Sequence, residues 1–202
     1  MKRILIILFI LTFISSSAFA LKIGLWGGYN MLLNDLGPGA EDVTKGGLAF
    51  GAKLSLIDLP IISLGLIGGY LPTSEYKTEF TLGVAPNTLT STYEYSTFSI
   101  PVAAFAQLSF GGIYLLGGAG AYIGSSTEKL TITGTGTYAS QTAPTVETAA
   151  DPTTDLGVML GAGYGMGVGV IGVEAGGLYH MIFTEGESTK MLTLHAGVNL
   201  GF

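Results

Sequence analysis

The chain has 202 residues, a formal net charge of −6 and no cysteine. Its acidic balance argues against a nucleic-acid-binding protein, which needs a basic surface, and the absence of cysteine excludes disulfides and thiolate metal sites. Hydrophobic residues make up 48% and charged residues only 11%, against about 25% charged residues in ordinary soluble domains, so water is not expected to be the only solvent around the folded chain.

The N-terminal segment has the pattern of a secretory signal peptide. Lys2 and Arg3 precede an apolar run at 4–14, and serine and small residues follow at 15–20. The apolar run is shorter than the ~20 residues that a membrane-spanning helix needs. The sequence therefore predicts a signal peptide at 1–20 and a single domain at 21–202.

After residue 20, apolar and polar residues alternate in successive segments, as in strands whose two faces meet different surroundings. No stretch is long and apolar enough for a membrane helix, so a membrane protein of this sequence must close its backbone hydrogen bonds between strands, as a barrel does. Eight strands are predicted, at 21–31, 46–56, 62–72, 92–108, 112–123, 155–166, 169–182 and 190–202.

The connections between these strands are alternately short and long. The short ones lie at 57–61, 109–111 and 166–169, and the long ones at 32–45, 73–91, 124–154 and 183–189. Up-and-down barrels of the outer membrane have short periplasmic turns and longer external loops. The predicted fold is therefore all-β, an eight-stranded antiparallel up-and-down transmembrane β-barrel.

The positions of the charged residues agree with this topology. The external segments and their flanks carry twelve acidic residues but only four lysines. Within the predicted spans, Lys53 and Glu174 are the charges well away from strand ends. Both belong to the alternate residues of their strands that are predicted to face the lumen, which we call the inward parity. A charge on the lipid face near the midplane costs roughly 2–4 kcal/mol, so a bilayer selects this partition.

Two stretches resemble known proteins, "FSIPVAAFAQLSFGGIYLLGGAGAYIG" at 98–124 and the aromatic-terminated "HAGVNLGF" at 195–202. Together with the signal peptide, they are similar to the small bacterial outer-membrane β-barrel superfamily, which includes the OmpA-type and OmpX-type barrel domains. The resemblance covers 21–202 and implies an outer-membrane location. It also implies a C-terminal signal that the barrel-insertion machinery recognises, at Leu194, Val198, Leu200 and Phe202.

Several inward-facing polar residues are expected near the periplasmic end of the lumen. Eight strands leave an interior just wide enough for side chains, and buried polar groups need hydrogen-bond partners. We therefore predict a structural polar network instead of a diffusion pore, with a proton-responsive or ligand-binding Lys53–Glu174 pair as the alternative. Its members are Lys22, Lys53, Gln107, Glu174, His195 and Asn199.

No catalytic, cofactor-binding or metal site is predicted. The glycine-rich segment 161–169 lacks the strand-to-helix context and the following Lys-Ser or Lys-Thr of a phosphate loop. His180 and His195 lack close carboxylates for a metal site, and no serine is marked as a nucleophile beside either. Two alternatives stay open: a lipid-modifying enzyme in which His180 takes part, and a channel for a narrow solute.

Aromatic residues near strand ends predict an interfacial girdle. The outer girdle is predicted at Tyr29, Tyr70, Tyr122, Tyr164 and Tyr179, and the inner one at Phe110, Tyr114 and Phe202.

The external segments are expected to carry the function, as a structural, adhesive or partner-binding surface. The loops at 73–91 and 124–154 are the predicted contact regions for an extracellular protein, while the barrel itself contacts lipid and lipopolysaccharide as a monomer. Within the first loop, "EYKTEFTL" and "STYEYSTF" alternate on either side of "GVAPN". An extended hairpin is therefore the alternative to an ordinary loop there, and its strand edge could pair with another protein.

Overall fold

The computed structural model describes residues 21–34, 43–184 and 186–201. The predicted signal peptide and Phe202 lie outside the described residues. The strands are β1 (Lys22–Leu32), β2 (Val43–Thr44), β3 (Gly46–Asp58), β4 (Ile62–Val84), β5 (Asn87–Phe110), β6 (Ile113–Gly134), β7 (Ala143–Ala149), β8 (Thr153–Val168), β9 (Ile171–Phe183) and β10 (Ser188–Gly201), with a 3-10 helix at Gly136–Gln141. In the described parts of the chain, no helix has the length and apolar character to cross a membrane.

Eight of these strands close into an antiparallel barrel. The order around it is β1, β3, β4, β5, β6, β8, β9 and β10, and the ring closes where Lys22 of β1 pairs with Gly201 of β10. Short turns at 59–61, 111–112 and 169–170 lie at this same end. The predicted up-and-down antiparallel barrel is confirmed.

Three strands are much longer than predicted. β4 extends to Val84, β5 begins at Asn87 and β6 continues to Gly134, so the three remain paired far beyond the other barrel strands. β2 pairs with the outer part of β4, and β7 pairs with the outer part of β6. The prediction of loops at 73–91 and 124–154 is therefore wrong: both ranges belong largely to a protruding sheet in the order β2-β4-β5-β6-β7, and the hairpin alternative is correct for the first.

A belt of exposed apolar side chains surrounds the barrel. Leu25 is 66% exposed, Leu160 62% and Leu194 52%, while the neighbouring inward residues Thr193 and Asn199 are at most 4% exposed. A monomer in water rarely exposes an apolar patch of more than a few hundred Å², whereas a transmembrane barrel presents such a band to lipid. The transmembrane class predicted from the alternation is thus the class observed.

Large side chains fill the lumen by packing against glycines of neighbouring strands. The indole of Trp26 lies over Gly51 and Gly69, where a Cβ atom would stand 2.4 and 2.6 Å from the ring. Likewise, a Cβ at Gly163 or Gly176 would lie 2.4 Å from the hydroxyl of Tyr114. The glycine-rich inner face is therefore the space that the aromatic residues occupy.

The predicted girdle is wrong at Tyr114 and Tyr122. Both side chains point into the lumen and are 3% and 1% exposed, because the outward parity of β6 belongs to Ile113 and Ile123. The position of a residue along its strand determines its depth in the membrane, but the alternation of side chains determines whether it faces the lipid or the lumen. Tyr70, by contrast, packs between two aromatic rings, with centroid distances of 5.4 Å to Phe50 and 5.2 Å to Phe98.

Replacing Gly163 with Val is expected to lower the free energy of unfolding by about 1–3 kcal/mol, the usual cost of overpacking. The new Cβ would lie 2.4 Å from both the Tyr114 hydroxyl and the Ala175 carbonyl oxygen. Guanidinium unfolding in liposomes, followed by fluorescence of the single tryptophan, Trp26, measures the change. Gly117→Val is the matched control, since its Cβ would meet only a leucine methyl at 3.8 Å; equal midpoints for the two variants would contradict the packing argument.

Candidate functional site

The half of the lumen next to the short turns contains a buried ion pair. The ammonium of Lys53 lies 2.7 and 2.6 Å from the two carboxylate oxygens of Glu174 and 3.3 Å from the side-chain oxygen of Gln107. Asn199 donates a hydrogen bond of 3.0 Å to the same carboxylate. The side chains of the ion pair are 5% and 8% exposed, so four of the six residues predicted for the polar network are in direct contact and shielded from water.

The other two predicted members lie beside this cluster. Lys22 is at the rim formed by the short turns, where its ammonium is 3.8 Å from the carboxylate of Asp58. His195 is hydrogen-bonded through Nε2 to the Tyr114 hydroxyl at 3.1 Å, and the ring of Tyr114 lies 5.7 Å from the Lys53 ammonium. His195 is thus linked to the cluster through Tyr114, whose side chain lies in the lumen.

The outer half of the lumen contains a second buried polar chain, around His180. The hydroxyl of Tyr122 lies 3.0 Å from Nδ1 of His180, and Nε2 lies 3.3 Å from the hydroxyl of Thr193. That hydroxyl donates to the side-chain oxygen of Asn30 at 2.8 Å, and the amide of Asn30 donates to the carbonyl of Pro72 at 2.7 Å.

This order of donors decides what His180 can do. The Thr193 hydroxyl donates its proton to the side-chain oxygen of Asn30, so toward His180 it can only accept. The proton of that second hydrogen bond therefore belongs to Nε2 of His180. A nucleophile activated by a histidine needs the opposite arrangement, with its own proton directed to the ring nitrogen. The chain around His180 therefore has the geometry of a satisfied structural network.

The protruding sheet has two chemically different faces. Its outward face, which continues the lipid-facing parity of the barrel, carries charged and threonine side chains. Glu94 of β5 accepts from Lys77 of β4 at 2.8 Å and lies 3.7 Å from the ammonium of Lys129 of β6. The hydrogen bond between Lys77 and Glu94 raises the pKa of the lysine and lowers that of the carboxyl group.

The opposite face of the same sheet is largely apolar and aromatic, with Glu128 on it opposite Tyr95. Tyr76 pairs with Tyr95, and Tyr93 pairs with Leu130, all on the parity that faces the lumen lower down. Further apolar side chains of this face are exposed: Phe80, Leu82, Val84 and Val146. We call this set the apolar face of the protruding sheet.

The apolar and the polar face of these strands therefore change sides between the barrel and the protruding sheet. On β5, the outward side chain is apolar at Ile100 and charged at Glu94, while the inward side chain changes from buried Ser99 to Tyr95 and Tyr93. An outward face that becomes charged no longer faces hydrocarbon, because charge there is costly. The inversion marks the level at which the membrane ends and the external sheet begins.

In the described residues, no group of three or more histidine, aspartate or glutamate side chains is arranged to hold a metal ion. The polar clusters of the lumen are thus made of an ion pair, amides, hydroxyls and single histidines.

Comparisons with known proteins find likeness at the level of structure. No family model matches the sequence, and no curated protein matches it. Among solved structures, Neisserial surface protein A is 11% identical, with a TM-score of 0.49, over 91% of this chain and 99% of that one. The attachment invasion locus protein Ail of Yersinia pestis is 14% identical, with a TM-score of 0.43, over 91% and 98%.

The N-terminal β-barrel domain of Pseudomonas aeruginosa OprF is also 14% identical, with a TM-score of 0.36, over 91% of this chain and 98% of that domain. Such low values give no information on ligand or activity. The fold follows from the chain's own geometry, namely the closed ring of strands, the apolar belt and the polar lumen. The chain is, by fold, a small eight-stranded transmembrane β-barrel.

Proposed function

We propose that this barrel anchors the protruding sheet in the outer membrane and that the apolar face of the sheet binds an extracellular protein. The observation that carries the proposal is the exposure of that face. Phe80 is 63% exposed, Leu82 52% and Val84 82%, at a level where the outward face is already charged. Large exposed apolar patches outside a membrane are typical of protein-binding surfaces.

The edge of the sheet supports the same role. Residues 77–84 of β4 pair with β5 on one side, and no residue in the described part of the chain pairs with their other side. An unpaired strand edge can add a strand from another chain. A partner segment at this edge would form backbone hydrogen bonds while its side chains extend the apolar face.

The lumen favours this proposal over the two alternatives. The ion pair of Lys53 and Glu174 and the packed aromatic side chains occupy the space that a solute would need. The donor order around His180 is that of a structural network and not of an activated nucleophile. We therefore assign no catalytic residue, and the structural role predicted for the lumen network remains part of the proposal.

Export and insertion are included in the proposal. Residues 1–20 would direct secretion and be removed. Leu194, Val198 and Leu200 line the outward face of β10 and are 43–52% exposed, and with Phe202, outside the described residues, they would form the signal for the barrel-insertion machinery. Lipid and lipopolysaccharide would surround the belt of a monomeric barrel.

Binding of displayed barrels to immobilised fibronectin, laminin and collagen tests the proposal. Cells carrying the wild-type chain are expected to bind at least one of these proteins. The double variant Phe80→Ser/Leu82→Ser is expected to lose binding by about tenfold or more, since a truncated anchor in a docking surface often costs over 1 kcal/mol. Its matched control is Thr81→Ser/Thr90→Ser on the outward face, where the two hydroxyls are 3.1 Å apart.

Surface levels of the variants must be equal, as judged by the heat-modifiable mobility of the folded barrel. Wild-type cells that bind none of the three proteins, or equal losses in the two double variants, would contradict docking on the apolar face.

A further inference from the structure

A cavity of about 490 Å³ opens at the outer end of the lumen, at the foot of the protruding sheet. Its size falls in the range of about 300–1,000 Å³ that small-molecule sites occupy. The side walls carry hydroxyl groups, including those of Thr97 and Ser99, while Tyr122 supplies aromatic surface. The cavity is thus a hollow with both polar and apolar walls, next to the chain around His180.

The charged groups of this cavity are carboxylates. Asp155 of β8 and Glu187, which precedes β10, both line it, and no basic side chain is found among its described lining residues. Lys77 and Lys129, two of the external lysines, lie on the outward face of the sheet and are engaged with Glu94. The charged side chains that line the cavity are thus both acidic, and low-dielectric walls strengthen the field of such charges.

Ser99 gives an independent indication of a ligand. The residue is 4% exposed, it lines the cavity, and its hydroxyl has no hydrogen-bond partner in the described protein. Buried hydroxyl groups without partners are rare in folded proteins. A ligand with a polar group would supply the missing partner.

We propose that this cavity binds an alkylammonium group, that is, a primary ammonium on an aliphatic stem. The ammonium is attracted by Asp155 and Glu187, and the stem lies against Tyr122, since an aromatic wall accommodates both methylene groups and a nearby cation. A free diamine and a lysine side chain of a polypeptide share this chemistry. The inference does not depend on docking at the apolar face, whose exposed residues Phe80 and Leu82 are not part of the cavity lining.

Calorimetric titration of the folded barrel in nanodiscs, at low ionic strength and pH 7, tests this site. Cadaverine is the probe, and 1,5-pentanediol is its neutral match. Cadaverine is expected to bind saturably and at least about tenfold more tightly than the diol, the size of effect that a charge-assisted hydrogen bond gives. Equal affinities, or no saturable binding of cadaverine, would overturn the proposal.

Variants assign the binding to the cavity. Asp155→Asn is expected to weaken cadaverine binding by about tenfold, and Asp155→Asn/Glu187→Gln by more. Asp151→Asn is the matched control, because Asp151 is an exposed acid of the same region that does not line the cavity. The proposal is wrong if the double variant keeps the wild-type affinity.

Two further comparisons distinguish the source of the ammonium and separate this site from the docking surface. If N-acetyl-lysine methylamide binds more tightly than cadaverine, the ligand is a lysine side chain of a polypeptide; if it binds less tightly, the ligand is a free amine. The neutral control for N-acetyl-lysine methylamide is N-acetyl-norleucine methylamide. Phe80→Ser/Leu82→Ser is expected to keep the wild-type affinity for cadaverine. Loss of that affinity in this variant would place the site on the apolar face and overturn the assignment to the cavity.

Discussion

Replacing Lys53 with Met is expected to lower the free energy of unfolding of the barrel by about 3–5 kcal/mol, because it leaves the carboxylate of Glu174 buried without its cation. The two side chains are 5% and 8% exposed, and the ammonium forms bonds of 2.6 and 2.7 Å to the carboxylate. Guanidinium unfolding in liposomes, followed by the fluorescence of Trp26 in the lumen, measures the loss.

The double variant Lys53→Met/Glu174→Gln is the decisive control. It removes both charges and keeps a hydrogen-bonding side chain beside Asn199, so most of the lost stability is expected to return. A double variant as unstable as the single one would show that packing and not charge explains the effect. A single variant with the wild-type midpoint would show that water reaches Glu174.

The second large effect is expected from Leu194→Arg, which places a charge on the outward face near the middle of β10. Leu194 is 52% exposed, and arginine on the lipid face near the midplane costs about 2–4 kcal/mol. The free energy of unfolding in liposomes is expected to fall by this amount. In water the same exposed position would tolerate the change within about 0.5 kcal/mol.

Thr133→Arg is the matched control for that substitution. Thr133 lies on β6 and is exposed on the outward parity, but it is in the protruding sheet beyond the membrane level. No loss of stability is expected there. If Leu194→Arg and Thr133→Arg unfold at the same guanidinium concentration, the apolar belt does not face lipid.

The barrel itself could be predicted because each strand repeats the same alternation of outward apolar and inward small or polar residues. On β10, Leu194 and Val198 alternate with Thr193 and Asn199, and the structure exposes the first pair and buries the second. A period of two residues fixes which side chains share a face. The alternation of short and long connections then fixes the topology.

The protruding sheet could be predicted only in part, because alternation alone does not say where the membrane ends. Past the irregularity between Pro72 and Ser74, β4 carries its apolar side chains on the other face of the sheet. Whether the outer part of β5 is a loop or a strand depends on Thr131 and Thr133 of β6, which pair with Thr92 and Thr90 and are far away in sequence. Local pattern does not contain that pairing.

The lumen clusters show a similar limit. Inward parity placed Lys53 and Glu174 in the lumen, but the two residues are 121 positions apart, and their contact depends on the stagger between strands. Lys22 illustrates the uncertainty, since it is expected at the same depth and instead lies beside Asp58 at the rim. Tyr114 and Tyr122 were assigned from depth alone, although counting parity along β6 from Ile113 would have placed both inside.

The seam between β1 and β10 has a consequence for biogenesis. It joins the two strands that are furthest apart along the barrel sequence, from Lys22 with Gly201 to Leu32 with Met191. Until β10 arrives, the partial sheet has two open edges whose amide and carbonyl groups hydrocarbon cannot satisfy. Entry into the bilayer should therefore be all-or-none, and a chain truncated before β10 should stall outside the membrane as a substrate for periplasmic proteases.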